Sequence, residues 1–198
     1  MAMPQSDHPS MTPDSPKSQK PPSNPWIETT KAVAVGLLLA VGIRSFVMKV
    51  FHIPSSSMEP TLQINDRLVV ERVSYRFNPP QRGDIVVFQA PPKAVEVCGL
   101  PAQEKTDFIK RVIGLPRDRI AVRHERVYVN DQPLPESYIA QSPNYNLLEF
   151  TVPENAVLVL GDNRNISCDG HMWGALPTEN IVGRAVWRIW PFDRWGGL

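Results

Sequence analysis

Apolar side chains are spread unevenly along the 198 residues. Residues 1–25 hold Pro, Ser, Gln and Asp and almost no large apolar group, too little to offset the entropy of ordering, which predicts a disordered tail. From Trp26 the character reverses. The unbroken run AVAVGLLLAVGI at 32–43 ends at Arg44 and Ser45, and apolar side chains resume from Phe46 to Phe51. Twelve residues alone would suit a cleavable signal peptide. Against cleavage stand the long polar tail ahead of the run, the lack of a small-x-small site directly after it, and the renewed apolar pattern. If Arg44 extends its guanidinium to the headgroups, a helix from about Ile27 to Val47 reaches the ~20 residues a span needs. Residues 26–50 are therefore expected to form one uncleaved transmembrane anchor, the alternative being an amphipathic or buried soluble helix.

Past the anchor the period shortens to that of strands. Short β-branched runs recur at RLVVERV (67–73), DIVVF (84–88), RIAVRHERVYV (119–129), AVLVLGD (156–162) and RAVWRIW (184–190), divided by Pro- and Gly-rich turns. Nothing beyond residue 52 keeps a 3.6-residue period over three turns. Residues 51–198 are expected to form an all-β domain of short antiparallel strands, with 89–106 as a long excursion loop.

Composition narrows the chemistry. Lys and Arg number 21 against 20 Asp and Glu, with no block of like charge to follow a phosphate backbone, so no nucleic-acid partner is expected. Four scattered histidines and two cysteines lack metal-ligand spacing, so neither metal nor cofactor is expected. Whether Cys98 and Cys168 pair in an oxidising compartment stays open.

Three segments have the makings of a site. In HIPSSSMEPTL (52–62) three serines lie between Pro54 and Pro60, whose fixed backbone predicts a rigid, exposed turn. By itself such a tract is more often a plain turn. In TDFIKRVIGLP (106–116), Lys110 and Arg111 point to opposite faces of a strand, so one of the two faces inward, where a lysine is costly unless neutral or paired. An exposed edge-strand lysine is the plainer alternative. In VLGDNRNISCDGHMWG (159–174), a very polar loop follows a hydrophobic strand. Neither GxSxG nor a His and Asp pair for a familiar triad is present.

These segments, in this order behind an anchor and over roughly 26–192, resemble the type I signal peptidases, the serine–lysine family that releases exported preproteins. HIPSSSMEPTL is similar to the family's nucleophile box, RGDIVVF to a structural box, FIKRVIGLP to the lysine box, and GDNRNIS with Asp169 to the last box. The resemblance implies an all-β serine–lysine protease domain in which Ser57 is the nucleophile and Lys110 the general base. It implies that Ser167 orients the lysine and that the Ser57 N–H and Ser55 hydroxyl form the oxyanion hole. It implies substrate pockets near Phe51, Ile53, Pro54, Phe108 and Ile109 that admit only small residues before the cut. Asp162, Arg164 and Asp169 read as structural supports in a salt-bridged loop. The partners implied are signal-bearing preproteins and a lipid bilayer, in plasma or thylakoid membrane, with the β domain on the periplasmic or lumenal side. Three tryptophans in WRIWPFDRWGGL either rest on that membrane or, for Trp187 and Trp190, fill the core.

Four positions depart from the family pattern. Ile166 replaces an Asn, Gly170 a Ser, and Arg117 a Gly, while His171 stands where Arg is commonest and is similar to the cyanobacterial and plastid branch. Gly170 removes a hydroxyl near the site, and an inactive anchored module that binds exported chains without cutting them is the rival reading. Self-cleaving repressors share the fold, but they carry a DNA-binding module and no anchor.

Overall fold

The computed structural model describes residues 24–101 and 106–198, without the side chains of 40, 41 and 43–46. The tail expected over 1–25 lies almost wholly outside the described residues, as does the side chain of Arg44. Two units are distinguished by their internal contacts, up to Val41 and from Gly42 onward.

The first unit holds most of helix α1 (Pro25–Val47). Its apolar side chains are uncovered: Val33, Val35, Leu37, Leu38 and Leu39 are each more than half exposed. Among the described residues no helix is long and apolar enough to cross a membrane.

The second unit runs β1 (Met48–His52), β2 (Arg67–Glu71), β3 (Ile85–Gln89), α2 (Pro92–Val97), β4 (Asp107–Gly114), β5 (Arg119–Arg123), β6 (Arg126–Val129), β7 (Gln132–Pro133), β8 (Leu147–Thr151), β9 (Ala156–Leu160), α3 (Gly170–Trp173), β10 (Leu176–Pro177), β11 (Ile181–Trp190) and β12 (Gly196–Gly197). Met48–Val50, allotted to the span by hydropathy, open β1 instead. The segment expected as one loop at 89–106 carries α2, begun by Pro92 at a position that needs no N–H donor.

Every pairing is antiparallel, in one sheet ordered β1-β2-β11-β3-β4-β9-β10, with β12 on β11, and a second ordered β7-β6-β5-β8. The β-branched runs of β3, β4 and β9 are buried on both faces, which is why they read as continuous rather than alternating. One apolar cluster gathers Ile53, Met58, Leu62, Leu68, Val70, Ile85, Val87 and Ile109. A second lies under the smaller sheet around Ile113, Ile120, Val127 and Leu158. A third joins Phe88, Val112, Val159 and Trp173 to the half-buried Phe108 and both cysteines. The strands of the central sheet thus form a rigid frame from which two loops, 53–66 and 161–169, meet.

Candidate active site

The serine tract is held at both ends. Ile53 exchanges backbone hydrogen bonds with the 65–66 turn, its N–H donating to Asp66 O at 2.9 Å and its carbonyl accepting from Asn65 N–H at 2.8 Å. Met58 and Leu62 are fully buried and pin the turn into the core, each contributing roughly 1.5–3 kcal/mol by leaving water. Ser55 and Pro54 stay exposed, as expected, but Ser57 is drawn inward to 9 % exposure. The reason is the second loop, whose Asn163 donates its N–H to Ser57 O at 3.1 Å and its side-chain amide to Ser56 O at 3.2 Å.

Lys110, on β4, is 4 % exposed. Its Nζ lies 2.8 Å from Ser57 Oγ and 2.9 Å from its neighbour's carbonyl, Ile109 O. Phe108 on the same strand face sets its ring centroid 5.2 Å from Nζ. Burial pushes the Lys110 pKa down to about 8, against a smaller upward pull from Asp169 and Asp162. An amine that loses its proton this readily, in contact with a hydroxyl, can remove the hydroxyl proton. Ser55 Oγ is 3.4 Å from Ser57 Oγ. Among the described residues the Ser57 N–H donates to no protein acceptor.

Strand alternation predicted one inward residue of the Lys110–Arg111 pair; both are buried. Arg111 is accommodated by Asp162, with Nε to Oδ1 at 2.8 Å and Nη2 to Oδ2 at 2.6 Å, while Nη1 donates to Gly83 O at 2.9 Å. Its guanidinium also stacks 4.2 Å over Tyr138. Thr61 Oγ1 donates to Asp162 Oδ2 at 2.5 Å, so this pair ties β4, the serine turn and the 161–169 loop together.

The supports do not form a salt bridge within their own loop, as read from sequence. Asp162 pairs with Arg111, and Arg164 reaches out to Glu136, with Nη1 and Nη2 at 2.7 and 2.5 Å from its two oxygens. Asp169 accepts from Gly161 N–H at 2.7 Å and from His171, by its N–H at 3.1 Å and its Nδ1 at 2.8 Å. His171 is stacked on Tyr145, centroids 3.9 Å apart. Ser167, expected to hold the lysine amine, makes no such bond: its Oγ is buried and has no hydrogen-bond partner among the described residues. It packs instead against Gly161, where a Cβ would meet Ser167 Oγ at 2.2 Å and Ser57 O at 2.5 Å. That contact demands glycine and brings the loop against Ser57.

Two departures find a physical explanation. At Gly170 a Cβ would meet Leu158 Cδ1 at 2.6 Å and the backbone Val159 O at 2.8 Å, so this fold has no room for the serine hydroxyl whose absence the pattern noted. Arg117 has φ +70, so the turn keeps a conformation suited to glycine despite the substitution. Phe51, Ile53 and Ile109 converge in one cluster, whereas Phe108 belongs to another, under the lysine. Cys98 and Cys168 are disulfide-bonded, joining the end of α2 to the residue between Ser167 and Asp169. Glu136 and Asn163 could not be picked out by pattern. Their partners lie 28 and 106–107 residues away in sequence and meet only through the fold.

The family model described as signal peptidase, peptidase S26, matches residues 26–190. Signal peptidase I of Leptolyngbya laminosa is 48 % identical, covering 93 % of this chain and 95 % of its own. Probable signal peptidase I-2 of a Synechocystis strain is 51 % identical over 92 % of this chain and 81 % of its own. The chloroplastic thylakoidal processing peptidase 1 of Arabidopsis thaliana is 42 % identical over 83 % of this chain, which spans 48 % of that protein. The chain belongs to the signal peptidase family, peptidase S26, serine peptidases that remove signal peptides from preproteins.

Proposed function

We propose that the chain is a membrane-anchored endopeptidase in which Ser57 attacks the scissile carbonyl and Lys110 is the general base. The observation that carries this reading is the 2.8 Å contact between Lys110 Nζ and Ser57 Oγ, made by a buried lysine whose pKa is lowered to about 8. A serine hydroxyl attacks poorly until a base takes its proton. An ordinary lysine is neutral in about one molecule in 2,500 at pH 7, whereas a pKa of about 8 leaves about one in ten ready. The proton passes from Oγ to Nζ as Oγ bonds the carbonyl carbon. The Ser57 N–H and Ser55 hydroxyl meet the oxyanion; a donor of this kind is worth about 10²–10³ in rate. Collapse breaks the peptide bond, and the departing amine takes the proton from Nζ. Lys110 then removes a proton from water, whose oxygen releases the acyl group from Ser57.

Asp162, Arg164 and Asp169 act as supports that fix the 161–169 loop against the nucleophile turn, with Ser167 packed at their centre. Substrate adds as an extended strand. Among the described residues β1 pairs only with β2, and the Asp107–Lys110 half of β4 only with β3, so two open edges flank the serine. Phe51 lies on β1, Ile53 and Pro54 follow that strand, and Phe108 and Ile109 lie on β4; on this reading they line the pockets that take the small residues before the cut.

Helix α1, up to Val47, serves as a single-pass anchor after the N-terminal tail, and the chain from β1 onward as the peptidase domain. The uncovered apolar side chains of α1 support this, since such a surface calls for a lipid or protein cover. Trp187, Trp190 and Trp195, 43–61 % exposed, suit the headgroup layer. The Cys98–Cys168 bond supports an oxidising compartment, so the domain faces periplasm or thylakoid lumen.

The test is cleavage of a signal-bearing preprotein in detergent micelles by wild type and Ser57→Ala. Product from wild type alone, cut after a small residue, is expected. Equal product from both overturns Ser57 as nucleophile.

A further inference from the structure

A groove of about 400 Å³ opens between the turn that follows Ser57 and the 161–169 loop. One wall carries Glu59, Pro60 and Gln63; the other carries Gln141, Asn163 and Ile166. Asn163 is also the residue that bonds the Ser56 and Ser57 carbonyls, so the groove is continuous with the serine turn. Glu59 is two residues past Ser57, within about 7 Å of it along the chain.

We propose that this groove receives the first residues after the scissile bond and favours a basic side chain among them. The inference rests on the Ser57 reading above. The open edges of β1 and of the first half of β4 take the segment before the cut, so the segment after it must continue past Ser57, where this groove is the adjoining concavity. Its chemistry selects the occupant. Asp162 is committed to Arg111 and Thr61, but Glu59 has no ion-pair partner among the described residues. No lysine or arginine lines the groove. Ile166, 69 % exposed, offers an apolar lip for the methylene stem of a Lys or Arg whose head reaches Glu59. The amides of Gln63, Gln141 and Asn163 suit an extended backbone. The unusual isoleucine in GDNRNIS thereby acquires a use as a specificity-determining residue.

The experiment compares preproteins that are identical up to the cut and carry Lys or Glu at the first, second or third residue after it, changed one at a time. The readout is the Lys-over-Glu ratio of kcat/KM, which cancels the amount of folded enzyme. Wild type should favour Lys by about two- to fivefold at one of these positions, as for a partly exposed ion pair, and less at high salt. Glu59→Gln should bring the ratio near one, and Glu59→Lys should reverse it. A ratio that is the same in all three enzymes at all three positions overturns the subsite. If Glu59→Lys does not fold, the Glu59→Gln comparison decides alone. A Ser57→Ala control separates the two readings: product that survives it overturns the catalytic assignment, whereas Ser57-dependent cutting with an unchanged ratio overturns only the groove.

Discussion

Lys110 and Arg111 are consecutive residues of one strand, both taken out of water, and their surroundings treat them in opposite ways. Arg111 is given a carboxylate in two-point contact, a carbonyl and a tyrosine face. Lys110 is given a hydroxyl, a carbonyl and a phenyl ring, with Asp162 and Asp169 acting on it only through space. A buried cation with a matching anion stays charged and braces the fold. One without an anion gives up its proton easily and becomes a base. On the proposed mechanism the two neighbours do different work because of what the fold sets against each, and exchanging or deleting them tests the distinction.

The largest effect is expected from Lys110→Arg. A guanidinium remains protonated when buried and cannot take the serine proton. Cleavage at pH 8 should fall by about 10²–10⁴, the usual worth of a general base. In wild type kcat/KM should rise with pH through about 8, because only the deprotonated amine is competent. Near-normal cleavage by Lys110→Arg would make the two cations interchangeable and end the comparison.

Next comes Arg111→Met, which strands Asp162 at 0 % exposure with a charge and only Thr61 beside it. Breaking a buried pair from one side costs about 3–5 kcal/mol, whereas removing both partners costs far less. Urea unfolding in micelles should show the loss for Arg111→Met and recovery of most of it in Arg111→Met/Asp162→Leu. A single variant as stable as wild type would mean that Arg111 braces nothing.

This contrast marks the limit of what pattern could reveal. The strand runs and the antiparallel sheets were legible because β-branched runs between turn formers have few other ways to bury themselves. Four motifs in order singled out Ser57 and Lys110, which the fold places 2.8 Å apart. Strand alternation, however, allowed one inward cation, since it treats a strand as having one wet face. β4 is packed on both of its faces, so it buries Lys110 and Arg111 alike. The destination of each support was likewise hidden. Arg164 meets Glu136 because the 130–145 segment folds across the loop, and no local spacing encodes that. Nor does a motif say that Ser167 packs on Gly161 rather than bonding to the amine. Hydropathy ran the helical segment into β1, because a half-exposed edge strand of Met, Val and Phe has the same composition as the end of a span.

A smaller effect of opposite sign is expected from Lys110→Met. The folded pKa of the lysine, about 8, lies below its unfolded value of 10.5. Below pH 8 both states hold the proton, and the fold bears the full cost of burying the ammonium, on the order of 3 kcal/mol. Between 8 and 10.5 the unfolded chain binds more proton, so stability rises with pH and the cost vanishes. Methionine has no such cost but loses the bond to Ser57, worth about 1 kcal/mol. At pH 7 the variant should be inactive yet about 2 kcal/mol more stable in urea, and its advantage should shrink as pH rises from 8 to 10.5. A gap that ignores pH would mean that the buried amine carries no protonation cost.

The smallest effect sharpens the comparison from outside the core. Arg117 pairs with Glu154 Oε1 at 2.9 Å, within hydrogen-bond distance like the 2.6 and 2.8 Å contacts of Arg111 with Asp162. Both side chains, however, are about three-quarters exposed. Water and salt screen that pair, and holding two long side chains in register costs entropy. Arg117→Ala keeps a Cβ at the same left-handed backbone position, so any strain there is unchanged and only the pair is removed. Unfolding free energy should move by less than about 0.5 kcal/mol, against several for Arg111→Met, although both arginines hold a carboxylate within hydrogen-bond distance. A loss comparable to that of Arg111→Met would show that distance alone, rather than removal from water, sets the worth of these cations, and the contrast between Lys110 and Arg111 would then lose its physical basis.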